Sequence, residues 1–135
     1  MANNTSDLWV PYTLPITTSA NLAGKSLLTA AGAAVANAAN SVFGVLESDT
    51  PSGDEGTLKM HGAIEVIATG TVTKGGKVEV LQATVVANIN GTATNTTSAG
   101  VQDLASGYPI GKALSAGVAN DTVLVQLFGN DGKTA

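Results

Sequence analysis

The chain states one pattern twice. Residues 43–62 read FGVLESDTPSGDEGTLKMHG and residues 110–129 read IGKALSAGVANDTVLVQLFG. In each, a large apolar residue precedes glycine (Phe43-Gly44, Ile110-Gly111) and a turn of small polar residues follows. Threonine then opens an alternating run, Thr57-Leu58-Lys59-Met60 in the first copy and Thr122-Val123-Leu124-Val125 in the second. Alternation of period two bounded by turn residues is the pattern of a half-buried strand, so each copy predicts a hairpin. A second echo links Gly24-Lys25 and Val35-Ala36-Asn37 to Gly76-Lys77 and Val86-Ala87-Asn88. It extends the strand reading to residues 26–46, where alanine content alone would also allow a helix over 29–41.

Composition supports the same class. Sixteen glycines, with abundant Val, Thr and Asn and only 4% aromatics, favour pleated strands and tight turns over helices. The expectation is an all-β chain: an extended N-terminal arm over 1–20, one β domain over 21–129 with a long loop at 88–107, and a polar tail over 130–135. The loop reading rests on the Asn, Thr, Ser and Gly of NINGTATNTTSAGVQDLASG, which show no sustained period.

Charge narrows the partners. Only 12% of residues are charged and the net is −4, whereas nucleic acid and anionic membranes both call for a surplus of Lys and Arg. The uncharged stretch 26–46 is not read as a membrane span, because Asn37, Asn40 and Ser41 interrupt it and alanine drives insertion weakly. The N-terminus has neither the basic region nor the apolar run of a secretory signal. A sparsely charged surface does little to discourage self-association, so a homo-oligomer is the natural expectation.

Motifs for chemistry are few. With no cysteine, thiolate metal sites and cysteine nucleophiles are excluded, and no phosphate-binding glycine loop occurs. Glu47, Asp49, Asp54 and Glu55 cluster at the first hairpin's tip, but their spacing is not that of a calcium loop and the second copy keeps only Asp121. His61, the single histidine, falls on the polar side of a strand without a Ser or Asp pattern around it. The reading is therefore of a protein that is not an enzyme, with no catalytic residue, cofactor or metal. In the arm, Leu8, Trp9, Val10 and Tyr12 form the most adhesive stretch, broken by Pro11 and Pro15, which suit an extended or edge conformation. Trp9 either closes the chain's own core or anchors the arm on a neighbouring surface, and the residues alone leave both open.

Taken together, the start at Ile16 to Lys25, Gly44-Val45-Leu46, Gly62, the turn from Thr73 to Val78, and Ile110 to Leu114 with Val123 to Leu127 form a recognisable series. Over residues 16–128 the chain resembles the small capsid decoration, or cement, proteins of tailed bacteriophages. The resemblance implies a compact β-sandwich or barrel, jelly-roll-like, that assembles as a homodimer or homotrimer. It implies binding to the outer surface of the icosahedral head after synthesis in the host cytoplasm, cementing adjacent subunits of the major capsid protein. On this reading Leu8, Trp9, Val10 and Tyr12 contact the capsid or a neighbouring copy. The alternative is a carbohydrate-binding or adhesive β module of a phage fibre or tail, for which the sequence offers few aromatics to stack on sugars.

Overall fold

The computed structural model describes residues 13–39, 41–60 and 62–128. Nine strands run in chain order: β1 (Thr13–Thr17), β2 (Leu27–Leu28), β3 (Gly44–Leu46), β4 (Glu55–Lys59), β5 (Ala63–Ile67), β6 (Lys77–Ile89), β7 (Thr92–Asp103), β8 (Gly111–Ala113) and β9 (Thr122–Leu127). They form two antiparallel sheets, ordered β1-β4-β3-β2 and β5-β9-β8-β6-β7. The larger sheet curls until its edges meet: Ala68, just after β5, bridges Val101 of β7, where the Thr69 N–H donates to the Val101 carbonyl at 3.0 Å. The fold is thus all-β, a pair of curled sheets in a half-barrel. Among the described residues none is helical, and 29–39 make turns rather than the helix that alanine content allows.

The echo in the sequence is a repeat in the structure. The order β1-β4-β3-β2 maps onto β5-β9-β8-β6, element for element. β1 and β2 correspond to β5 and β6 at an offset of 50 residues (Thr13 to Ala63), and β3 and β4 to β8 and β9 at 67 (Gly44 to Gly111). Connections outside the strands obey the same offsets. Lys25 N–H donates to the Leu46 carbonyl as Gly75 N–H donates to that of Ala113, and the Leu22–Thr50 bridge returns as Val72–Gly117. Lys25 and Gly75 both have positive φ, 65° and 88°, as do Gly53 and Asn120, 83° and 75°. The hairpins at 43–60 and 110–127 therefore match in pairing register, but Thr57 corresponds to Leu124, not to Thr122, and Gly24-Lys25 corresponds to Lys74-Gly75, not to Gly76-Lys77. The letters that suggested those anchors are common turn and strand residues; the register is set by backbone pairing.

What separates the two units is the face each buries. Leu28, Leu46 and Leu58 on one face of the small sheet pack with Leu22 into a core of their own. The opposite face, through Leu27 and Val45, joins the main core with Val66, Val78, Val80, Val101, Val123 and Val125 of the larger sheet. At β2 and β3 the small sheet is buried on both faces. In the second unit the positions matching Leu27 and Val45 are Lys77 and Lys112, both exposed. Among the described residues nothing covers the outward face of β9 and β8.

Residues 88–107 are not a long loop. β6 and β7 pair over twelve positions, from Val78 with Asp103 to Ile89 with Thr92, around the two-residue turn Asn90-Gly91. Both turn residues have positive φ, 54° and 84°, the conformation that matches the twist of a tight hairpin. Small polar residues hid the strand. Thr96 and Ser98 are buried on the face of the hairpin opposite Val80, Ala99 and Val101, the Thr96 hydroxyl donating to the Val85 carbonyl at 2.8 Å and Ser98 Oγ accepting from the Ala23 N–H at 3.1 Å. Val85, Ala87 and Ile89 on the same face pack against Ala23 and Ile67, so the hairpin lies across the junction of the two units.

Candidate functional site

The acidic tip is structural at its centre. Asp49 accepts from the Gly24 N–H at 2.7 Å through Oδ1 and from the Asn88 N–H at 2.7 Å through Oδ2, tying the first unit's turn to the long hairpin. Glu47 lies 3.9 Å from Lys59 and Lys25 lies 3.7 Å from Glu65, both as solvent-exposed pairs of small energetic weight. Between these groups opens a shallow cleft of about 320 Å³ lined by Gly24, Lys25, Glu47, Ser48, Asp49, Ile67 and Thr122. Among the described residues no three His, Cys, Asp or Glu side chains gather to hold a metal ion. Replacing Asp49 with alanine is expected to cost about 1 kcal/mol, since water can reach both freed N–H groups. Amide exchange at Asn88 is expected to accelerate in that variant, while exchange at Val80, near the hairpin's base, stays unchanged.

A second carboxylate is buried outright. Glu79 is 4% exposed, on the outward face of β6, and is covered by the segment that follows β7. Its Oε1 accepts from the N–H groups of Ala105, Ser106 and Gly107 at 3.2, 3.3 and 2.7 Å, and its Oε2 accepts from Gln102 Nε2 at 2.7 Å. Burial opposes its ionisation, but the N–H of Gly107, the Gln102 amide and the N–H groups of Ala105 and Ser106 outweigh it. The carboxyl is held below the usual glutamate value. Glu79 thus works as a clip for residues 105–107.

Glu79 is enclosed by the groups it binds, whereas Asp49 lines the cleft with both carboxylate oxygens accepting from backbone N–H groups. No protein-family model, curated protein or solved structure matches the chain. The surface itself carries the remaining signal.

The larger sheet presents apolar side chains to solvent. Leu124 and Phe128 are 36% and 43% exposed, and Leu114, which follows β8 beside Leu124, is 37% exposed. β9 sits between β5 and β8 within its sheet, and its inward residues Val123 and Val125 are buried; among the described residues nothing covers its outward side chains. Tyr108 and Leu104, flanking the segment that Glu79 clips, are also exposed. Leu8, Trp9, Val10, Tyr12 and His61 lie outside the described residues. Sequence reasoning missed Glu79 and Asp49, because their partners are backbone N–H groups supplied from 25 to 39 residues away.

Proposed function

We propose that the chain is a structural virion protein that binds the outside of a tailed-phage head and cements adjacent major capsid protein subunits. The observation that carries this reading is where the family-like residues fall. Gly44-Val45-Leu46 is β3, Thr73 to Val78 is the turn into β6, Ile110 to Leu114 contains β8, and Val123 to Leu127 lies in β9. Three of these four stretches supply strands of the two hairpins and the fourth leads into β6, so the residues that carry the resemblance lie in the framework of the fold. Further support comes from the outward sheet face, whose exposed Leu114, Leu124 and Phe128 suit contacts between neighbouring copies on a lattice. A cement protein needs a rigid body and adhesive surfaces repeated in many copies, so that modest contacts sum over the lattice.

The test is sedimentation of the purified chain with expanded heads of the source phage from which decoration has been stripped. The chain is expected to pellet with the heads at a saturable number of copies per capsid and to raise the temperature at which they open. A chain that stays in the supernatant at all concentrations refutes the proposal.

A further inference from the structure

The two units provide an internal comparison. At the positions where the first unit carries Glu47 and Thr57, the second carries Leu114 and Leu124, side by side on neighbouring strands, where the Leu114 N–H donates to the Leu124 carbonyl at 2.7 Å. Both leucines are more than a third exposed. The same backbone frame thus holds polar side chains in one unit and large apolar ones in the other, and among the described residues nothing covers the face that carries the apolar pair. Adjacent exposed leucines on an outward sheet face suit burial against a partner.

The charges around that pair indicate what covers it. Across β5, β9 and β8 one row of the outward face reads Glu65, Leu124, Leu114, and the next reads Ala63, Gln126, Lys112. Glu65 and Lys112 stand at opposite corners of this grid, and both are exposed; the Glu65 contact with Lys25, at 3.7 Å through Oε1, leaves Oε2 to meet a second cation. A two-fold axis along the other diagonal, through Leu114, places Glu65 of each copy against Lys112 of its mate. The strands of the two copies then cross at roughly a right angle, one of the two usual ways for sheets to pack. The leucines meet at the centre and the ion pairs form twice, as a self-complementary interface requires. We propose that the outward face of β5, β9 and β8 docks on a second copy of this chain. This is separate from capsid binding, which is assigned to the arm and is read in a different assay.

Light scattering after size exclusion, at tens of micromolar chain, is expected to give twice the chain mass. Leu124→Glu is expected to weaken association at least about 100-fold, because each copy would bury an unpaired carboxylate. Since Leu124 is partly exposed, its thermal unfolding should stay close to that of the parent chain. Glu65→Lys and Lys112→Glu should each weaken association, and the double variant should recover it. A mass of three copies that Leu124→Glu abolishes keeps the face and replaces the two-fold pairing by a ring. The proposal is overturned by a wild-type chain that stays monomeric, or by an oligomer whose mass Leu124→Glu leaves unchanged. It is equally overturned if Leu124→Glu abolishes capsid sedimentation without altering the mass in solution, since the face would then belong to the capsid.

Discussion

Replacing Glu79 with alanine is expected to lower the unfolding free energy at pH 7 by roughly 3 kcal/mol, and the melting temperature by on the order of 10 °C. The variant removes the acceptor for three backbone N–H groups and for the Gln102 amide, in a place where Glu79 itself is 4% exposed. Freed N–H groups at residues 105–107 must find water, so the segment has to lift from the sheet. The Glu79→Gln variant separates shape from charge. Its amide oxygen can still accept the three N–H groups, and the loss should be about 1 kcal/mol, the difference between a charged and a neutral acceptor. The pH dependence has a fixed sign. Because the folded pKa is depressed, the stabilisation is present above the unfolded value of about 4.3 and is lost as pH falls through the folded value. Urea unfolding of the parent chain and Glu79→Gln should therefore differ at pH 7 and converge in strong acid. A gap that stays constant down to pH 2 would show that the carboxylate's charge contributes nothing.

The hairpins were legible because their glycines are required by geometry. A Cβ on Gly44 would lie 2.9 Å from the Lys59 carbonyl oxygen, and one on Gly111 would lie 2.7 Å from that of Gln126. Glycine at this place marks where β3 and β8 press against their partners, and the preceding apolar residue completes a signature that sequence reading can find. The larger hairpin was not legible, since Asn95 to Ser98 alternate between exposed and buried while Thr92 to Ser98 remain polar or small throughout. Hydrophobic periodicity cannot register a strand whose buried residues there are Thr96 and Ser98, satisfied by hydrogen bonds instead of apolar contacts. The same blindness applies between the units. Val45 and Lys112 hold equivalent positions, and only the stacking of the small sheet's second face onto the main core explains why one is apolar and buried and the other charged and exposed. Similarly, nothing in ESDTPSGDEG distinguishes Asp49 from its acidic neighbours, because what singles it out is the approach of the Gly24 and Asn88 N–H groups.

These placements make a second large effect testable. Deleting residues 1–12 is expected to leave a folded body that no longer decorates capsids. Among the described residues, every side chain in the three apolar clusters comes from residue 16 or later. Thr13, the first described residue, opens β1 at the free edge of the small sheet, where Pro15 limits pairing with a further strand. The deleted segment carries Leu8, Trp9, Val10 and Tyr12, and an aromatic anchor fully buried at a contact contributes on the order of 2 kcal/mol. Binding through many equivalent copies multiplies such a loss, so occupancy should fall from saturation to background. The measurement pairs sedimentation with heads and a thermal melt of the truncated chain. Full occupancy after truncation would remove the arm from the capsid contact. A melt lowered by 10 °C or more would instead place Trp9 in the chain's own core. An unchanged melt with lost sedimentation is the result that assigns the aromatic segment to the capsid, leaving the outward face of β5, β9 and β8 free for the contact between copies.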